Sequence, residues 1–184
     1  GYGIMNLPDK FIENMKDLLG TDFESYIESF NAPRYYGLRV NTLKTDTEYI
    51  EKNTDFLTDK VPWCETGYYY DGEKRPAKHP FYYAGLYYIQ EPSAMAPVEF
   101  LDVREGHRVL DICAAPGGKS TQIAAKLKGR GVLITNDISP SRAGALVKNL
   151  ELNGVRNNIT LSDSPGKIAP RFTEFFDRIL VDAP

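Results

Sequence analysis

A tight glycine-rich turn between an apolar stretch and a helix-forming stretch is the part of the sequence best suited to bind a ligand. In VLDICAAPGGKSTQIA, the apolar stretch ends at Ala114 and Ala115, and Pro116-Gly117-Gly118 leads into the helix. Such a turn lets a ligand approach the backbone closely, and the first turn of the helix offers N–H groups to a negative group. The spacing is not the GxGxxG of dinucleotide sites, so the carboxylate of an amino-acid-like cofactor would fit as well.

Three aspartates downstream follow the ends of predicted strands. Asp137 ends the first of these strands, 19 residues beyond Gly118, and an acid at about this separation hydrogen-bonds ribose hydroxyls in open α/β sheets. Asp163 and Asp182 end the next two strands. Because the carboxyl ends of parallel strands lie at one edge of a sheet, we expect the acids and the turn to converge there. A nucleoside cofactor without phosphates, S-adenosylmethionine, suits this set better than NAD or ATP.

Several of these residues also have a simpler structural interpretation. The turn could join a strand to a helix without any ligand, and a single strand-end aspartate is about as often a helix N-cap as a ligand contact. Cys113 follows an apolar strand and is more typical of a buried packing residue than of a nucleophile. Lys119 could be a solvated helix residue or could reach a substrate beside the turn, and the sequence leaves both open.

Tyrosines flank a short basic loop that runs from Lys74 to His79. Aromatic and cationic side chains together are what RNA-stacking modules use, but alternating tyrosines are more often packed in a core. The basic loop could equally be a solvated turn. The flanking tyrosines are Tyr68, Tyr69, Tyr70, Tyr82, Tyr83, Tyr87 and Tyr88.

The elements that must position the turn and the acids begin near residue 101. From there the strands RVLDICAA, GVLITNDI, NITLSD and FDRILVDAP alternate with helices, at about 118–127 and 141–154, and with a short connection before the last strand. This alternation predicts parallel βαβ units in a doubly wound α/β sheet.

Upstream, the pattern predicts a helical hairpin and then a small α+β unit. Apolar residues at helical spacing and a capping box formed by Thr21 and Glu24 predict two helices within residues 1–30. A strand over 37–43 follows, then a helix that begins at Asp46 or Thr47 and runs to about Leu57.

A second strand over 61–70 leads into the basic loop. The segment from His79 to Val103, which Pro92 and Pro97 interrupt, is interpreted as broken helical turns that link two domains. The predicted domain boundary lies near 100–106.

Composition limits the class of protein. The chain has 184 residues, 42% of them hydrophobic, with two cysteines, two histidines and a net charge of −3. This composition predicts a folded protein and argues against a disulfide framework or a metal cluster. No apolar run approaches the roughly 20 residues that span a bilayer, so we expect a cytoplasmic protein. The charge gives no global sign of a polyanionic partner, so any contact with RNA must be local.

Four segments together resemble the Nop/Sun family of RNA cytosine 5-methyltransferases, and most of all its bacterial 16S ribosomal RNA enzymes of the RsmF type. They are YYIQEPSAMAP, LDICAAPGGKSTQIA, NDISPSRAGALVKNLELNGV and FDRILVDAP. The resemblance implies an incomplete Rossmann-like class I methyltransferase sheet over residues 101–184. It also implies that the helical hairpin and an RRM-like α+β RNA-binding domain precede this sheet over residues 1–100.

The resemblance further implies roles for individual residues. Asp182 lies beside both the cofactor and the N3 atom of the target cytosine, and Lys119 helps to orient that base. Asp137 binds the ribose and Asp163 lies on the adenine side. The implied S-adenosylmethionine-binding set is Cys113, Ala114, Ala115, Pro116, Gly117, Gly118, Lys119, Asp137, Asp163 and Asp182.

The implied reaction needs a cysteine that this sequence lacks. In the family, a thiolate adds to carbon 6 of cytosine so that carbon 5 can take the methyl group. That cysteine, and a second one directly after the DAP motif, lie beyond Pro184. We therefore expect an inactive amino-terminal fragment with weakened cofactor affinity. A noncatalytic RNA-binding module on the same fold and an NAD-binding oxidoreductase are the alternatives.

Overall fold

The computed structural model describes residues 7–32 and 34–183. The chain divides into two compact units, Gly1–Arg34 and Tyr35–Pro184. In the first unit, α1 (Asp9–Leu19) ends at Gly20, and a 3-10 turn leads into α2 (Phe23–Ser29). Both predicted helices are confirmed. The predicted capping box is wrong, because Thr21 lies inside the 3-10 turn and Asp22 occupies the N-cap position of α2.

The first half of the second unit is an antiparallel four-stranded sheet with the strand order β2-β3-β1-β4. Its strands are β1 (Gly37–Val40), β2 (Leu57–Lys60), β3 (Gly67–Tyr70) and β4 (Tyr87–Ile89). Between β1 and β2 lies α3 (Thr47–Asn53), and between β3 and β4 lie two 3-10 turns and α4 (Pro80–Tyr83). This order and connectivity are those of the ferredoxin-like βαββαβ motif.

Three details of this sheet differ from the prediction. The helix expected to reach Leu57 ends at Asn53, because Thr54 is extended and Leu57 begins β2. The strand expected over 61–70 is confined to β3, since turns occupy the preceding residues. The segment interpreted as broken helical turns contains β4, which pairs with β1.

The helix α5 (Pro92–Phe100) follows β4 and runs through Pro97 instead of breaking there. Pro92 lies in its first turn, where a missing N–H leaves no hydrogen bond unmade. Pro97 does remove one helical hydrogen bond, but its neighbours Met95 and Val98 are fully buried, and their burial offsets that loss.

Both faces of the antiparallel sheet are covered. On one face, α3 packs over the strands. Of the two residues predicted to begin this helix, Asp46 is the N-cap, because its Oδ1 accepts the Tyr49 N–H at 2.7 Å. The apolar cluster on this face is Leu38, Val40, Ile50, Phe56, Tyr68 and Tyr87. On the other face, Met95 of α5 packs with Val61 and Cys64.

The second half of the unit is a parallel sheet with the order β7-β6-β5-β8. Its strands are β5 (Arg108–Asp111), β6 (Val132–Asn136), β7 (Asn158–Leu161) and β8 (Arg178–Leu180). The helices between them are α6 (Gly118–Leu127), α7 (Pro140–Leu152) and α8 (Pro165–Ile168). The predicted α/β class is confirmed. Each strand is shorter than predicted, because residues predicted at its ends lie outside the sheet. The residues that follow β5 and β8 form the loops of the site.

One face of the parallel sheet packs on α6 and α7 through an apolar core that includes Val109, Ile123, Leu133, Leu146 and Leu180. On the opposite face, Ile159 and Ile179 flank Leu110 and Ile134 in one row across the strands and are about half exposed. Within residues 7–32 and 34–183, every helix is too short or too polar to span a lipid bilayer.

Candidate active site

A cavity of about 420 Å³ lies at the carboxyl edge of the parallel sheet. The loops that follow β5 and β8 form one wall, and β4 with the start of α5 forms the other. The residues of the first wall are Cys113, Ala114, Ala115, Pro116, Gly118, Lys119, Arg142, Asp182 and Ala183. Those of the second wall are Tyr88, Ile89, Gln90 and Ala94. This volume is in the range of small-molecule and cofactor sites.

The neighbouring strand β6 holds the start of the glycine-rich turn. The Ala114 N–H donates to the carbonyl oxygen of Asn136 at 2.8 Å, and the Ala115 N–H donates to Asp137 Oδ2 at 3.3 Å. These bonds continue the pairing of β5 with β6 beyond the last strand residue. The backbone that faces the cavity is therefore fixed in position by the sheet itself.

Helix α7 holds the middle of the turn. Asn149 Nδ2 donates to the carbonyl oxygen of Pro116 at 2.7 Å. Gly117 has a φ of 113°, which L residues with a side chain rarely adopt, and a Cβ atom there would lie 3.3 Å from Leu146 Cδ1. Gly117 is therefore required by backbone conformation and by close packing on α7, and it is not itself a wall residue.

Lys119 and Asp182 form an ion pair on the cavity wall. Lys119 Nζ lies 2.6 Å from Asp182 Oδ2, and their side chains are 21% and 52% exposed. Lys119 comes from the first turn of α6, and Asp182 follows β8, two residues after the strand ends. Lys119 can donate a hydrogen bond to a polar ligand in the cavity, and Asp182 can accept one from the same ligand.

A further acid, Asp111, lies at the end of β5 and is not among the predicted site residues. Its side chain is buried, and its Oδ2 accepts the Ser120 hydroxyl at 2.6 Å, while Oδ1 has no hydrogen-bond partner in the described part of the chain. Burial raises the pKa of Asp111 to about 6, and the neighbouring Asp182 adds to this rise. An acid inside an otherwise apolar strand, as in VLDI, is the sequence signal that could have identified it.

The second wall depends on Arg39, a fully buried residue of β1. Its Nε donates to Gln90 Oε1 at 3.0 Å, and its Nη2 donates to the Gly118 carbonyl at 3.1 Å and to Thr121 Oγ1 at 2.7 Å. The arginine therefore joins the antiparallel sheet to the first turn of α6. Arg39, Tyr88 and Gln90 are absent from the predicted set; the signal available for Arg39 is a charge between the two apolar residues of LRV.

Comparison with known proteins identifies the family. Residues 7–92 match the family model described as the N-terminal domain of 16S rRNA methyltransferase RsmF, and residues 98–184 match that of 16S rRNA methyltransferase RsmB/F. The chain belongs to the RsmB/F family. Ribosomal RNA small subunit methyltransferase F of Vibrio parahaemolyticus is 37% identical to this RsmB/F-family chain over 97% of the chain.

A second relative and a solved structure agree with this assignment. Ribosomal RNA small subunit methyltransferase F of Vibrio cholerae is 38% identical over 98% of the chain. The crystal structure of a methyltransferase homologue from Pyrococcus horikoshii is 32% identical, with a TM-score of 0.82 over 97% of this chain and 60% of that one. The RsmB/F-family chain spans 39% of the V. parahaemolyticus relative and 40% of the V. cholerae relative.

Besides Gly117, two predicted cofactor residues of this RsmB/F-family chain, Asp137 and Asp163, lie outside the cavity wall. Asp137 is 2% exposed, and besides the Ala115 N–H it accepts the Ser139 N–H at 3.0 Å and lies 3.5 Å from Arg142. Asp163 lies 3.3 Å from Lys167 and 3.4 Å from Arg171. Both acids are at the carboxyl edge of the sheet, as expected, but basic side chains of the following helices contact them.

The two cysteines of the RsmB/F-family chain differ in position, but the pKa of each thiol is raised. Cys64 is buried under α5, and burial raises the pKa of its thiol. Cys113 lies on the cavity wall, where burial and then Asp111 and Asp137 raise its pKa as well. A thiol with a raised pKa is mostly protonated at neutral pH and is a poor nucleophile. Neither cysteine has the environment of an attacking thiolate.

Proposed function

We propose that this chain binds S-adenosylmethionine and RNA, and that the enzyme to which it belongs methylates carbon 5 of cytosine in small-subunit ribosomal RNA. The observation that carries the proposal is the Lys119–Asp182 ion pair, which stands on the same cavity wall as the CAAPGGK turn. Ribosomal RNA would be met in the cytoplasm. The family assignment and the relatives' names support the choice of substrate.

The residues around the cavity fit S-adenosylmethionine, which when bound supplies a methyl group on a positively charged sulfur. The backbone of Cys113–Gly118 and the first turn of α6 would hold the methionine carboxylate. Asp182 on the wall and the buried Asp111, whose Oδ1 is unpartnered among the described residues, are acceptors that suit the cationic part of this ligand. The remaining cofactor contacts proposed are Asp137 to the ribose and Asp163 on the adenine side.

The ion pair would act on the target base. Lys119 Nζ can donate to the cytosine carbonyl oxygen and thereby orient the ring. In its protonated form, Asp182 can donate a hydrogen bond to N3, where negative charge develops when a nucleophile adds to carbon 6. Lys119 belongs to α6, and Asp182 to the loop after β8. A base that enters between the two side chains would replace their ion pair with its own contacts to each of them. The thiolate of this scheme is neither Cys64 nor Cys113.

We assign RNA contact to residues 1–100 and cofactor binding to residues 101–184. The assignment is supported by the ferredoxin-like connectivity of the antiparallel sheet, which is also that of four-stranded RNA-recognition modules. It places the target base between the two walls of the cavity, because Tyr88 and Gln90 come from the first region and Lys119 from the second.

The proposal is tested in two steps. Calorimetry with this chain should detect binding of S-adenosylmethionine and no binding of NAD. The complete protein from the same gene should transfer labelled methyl groups to small-subunit RNA, with bisulfite mapping at cytosine. Lys119→Met and Asp182→Asn should each lower the methylation rate by about 10²–10⁴-fold, whereas Lys148→Met, an exposed lysine on α7, should not. Methylation of adenine, guanine or protein would refute the proposal.

A further inference from the structure

A second cleft, of about 280 Å³, opens beside the active-site cavity. It lies on the face of the antiparallel sheet that α5 covers, at the margin of that helix. Tyr35, Trp63 and Tyr69 supply its rings, and the first residues of α5 supply the rest of the wall. Those wall residues are Glu91, Pro92 and Ser93.

Two of the three aromatic side chains of the cleft, Tyr35 and Trp63, are exposed, and all three contact neighbouring groups. Tyr35 is 70% exposed and Trp63 is 43% exposed. The indole N–H of Trp63 donates to the carbonyl oxygen of Pro92 at 2.8 Å, which fixes the plane of the ring. The rings of Tyr35 and Tyr69 lie 5.7 Å apart at an angle of 59°. Such rings present flat apolar faces to solvent with little conformational freedom left to lose on binding.

The cleft and the active-site cavity share one segment of chain. Tyr88, Ile89, Gln90 and Ala94 line the cavity, and the three residues between Gln90 and Ala94 line the cleft. Consecutive Cα atoms are about 3.8 Å apart, so the two sites are separated by only a few residue lengths. A single strand with one base in the cavity could therefore reach the cleft with a neighbouring base.

We propose that the cleft formed by Tyr35, Trp63 and Tyr69 binds an unpaired RNA nucleobase that flanks the target cytosine. This inference rests on the proposed function, because the target base is what occupies the adjoining cavity. Stacking of a single-stranded base on an aromatic side chain strengthens binding and tolerates any base, because every base has a flat π face. None of the residues that line the cleft is basic, so stacking on its rings is the interaction that the cleft can offer to RNA.

The fluorescence of Trp63 provides a direct test, because it is the only tryptophan of the chain. The chain is titrated with a short single-stranded RNA that contains one cytosine, and tryptophan emission is recorded. Stacking of a base on the indole should quench the emission. The same titration is repeated with an RNA in which the base next to the cytosine is removed but its sugar and phosphate remain. Loss of one stacked base should weaken binding by about tenfold.

Matched variants separate the cleft from general RNA binding. Tyr35→Ala should weaken binding of the intact RNA by about tenfold and make the intact and abasic RNAs bind alike, while Tyr35→Phe should bind both as the parent does. Tyr83→Ala removes a similarly exposed tyrosine, 66% exposed on α4, and should change neither affinity. Unchanged melting temperatures show that the variants fold.

The outcomes distinguish this inference from the proposed function. If the chain binds S-adenosylmethionine in calorimetry, but wild type binds intact and abasic RNA equally with unchanged Trp63 emission, the cleft proposal is wrong and the proposed function stands. If RNA quenches Trp63 and S-adenosylmethionine does not bind, the proposed function fails and base binding by the cleft is supported. Quenching by a proline-rich peptide, with none by RNA, would also overturn the cleft proposal.

Discussion

The two sheets of the second unit each have four strands, but they differ in how much of each sheet is covered by other elements. All four residues of β1, in the antiparallel sheet, are buried, because α3 covers one face and α5 with α6 covers the other. The parallel sheet instead leaves its carboxyl edge open, and the cavity lies there. RNA-recognition modules bind bases on an open sheet face. Here the comparable sheet supports the site from behind, and its exposed aromatic rings lie at its margin.

Arg39 makes the hydrogen bonds by which the antiparallel sheet supports the site. Burial lowers the pKa of Arg39 to about 10, which reflects the cost of removing its charge from water. The three groups that accept its hydrogen bonds belong to the cavity wall and to the first turn of α6. Support of the site and stability of the fold therefore depend on the same side chain, and the predictions below test where these two properties separate.

The largest expected effect is that of Arg39→Met. It leaves Gln90 Oε1 and the Gly118 carbonyl without this donor inside the protein, which should lower the free energy of unfolding by about 3–4 kcal/mol. Binding of S-adenosylmethionine should weaken as well, because α6 loses its anchor. Urea unfolding and calorimetry measure the two effects. The control is Arg104→Met, whose side chain is 71% exposed and should change stability by under about 1 kcal/mol. Equal effects of the two variants would contradict a supporting role for Arg39.

The glycine-rich turn and α6 could be predicted from the sequence, whereas the long-range contacts that hold them in place could not. The Pro116-Gly117-Gly118 run fixes where the turn lies, and the predicted bounds of α6 agree with Gly118–Leu127. The contact of Arg39 with Gly118 joins residues 79 positions apart, and no local pattern encodes it. β4 was missed for a related reason, because a three-residue strand is stabilised by its pairing with β1 rather than by its own sequence pattern.

Asp111→Asn should have the next largest effect, and it should stabilise the protein. The pKa of Asp111 rises from 3.8 to about 6 on folding, so the folded chain binds more protons between these pH values, and stability falls as pH rises through them. Above pH 6 the buried charge remains as a cost. The asparagine variant should therefore be more stable than wild type by about 3 kcal/mol at pH 8 and about equal to it at pH 4.

Asp177, at the opposite end of the same sheet, provides the contrasting control. It accepts the Arg108 N–H at 2.7 Å, and hydrogen bonds from Arg108 lower its pKa to about 2. Its contribution to stability is therefore present above its unfolded pKa and is lost as pH falls toward 2. Asp177→Asn should destabilise the protein at pH 8, where Asp111→Asn stabilises it. If the two variants shift the melting temperature in the same direction at pH 8, the assigned pKa directions are wrong.

Gly117→Ala tests the conformation of the turn at an intermediate cost. A φ of 113° with a Cβ atom 3.3 Å from Leu146 should lower stability by about 1–3 kcal/mol and abolish tight cofactor binding. Gly144→Ala is the matched control, because Gly144 lies inside α7 with no heavy atom within 4 Å of the added Cβ. It should raise stability by about 0.5–1 kcal/mol. A Gly117→Ala variant as stable as wild type would mean that the turn relaxes readily.

The smallest effect on stability is expected at the residues proposed to touch the substrate. Lys119 and Asp182 are 2.6 Å apart but partly exposed, so Lys119→Met should change the free energy of unfolding by less than about 1 kcal/mol. The pair Lys52–Glu48 has the same 2.6 Å separation on α3 and is the control for removal of a surface ion pair. Lys52→Met should match Lys119→Met in urea unfolding, whereas in the complete protein only Lys119→Met should lower the methylation rate. If Lys119→Met lowered the free energy of unfolding as much as Arg39→Met does, Lys119 would be a structural residue. The open edge of the parallel sheet would then depend, like the covered antiparallel sheet, on a side chain that stabilises the fold.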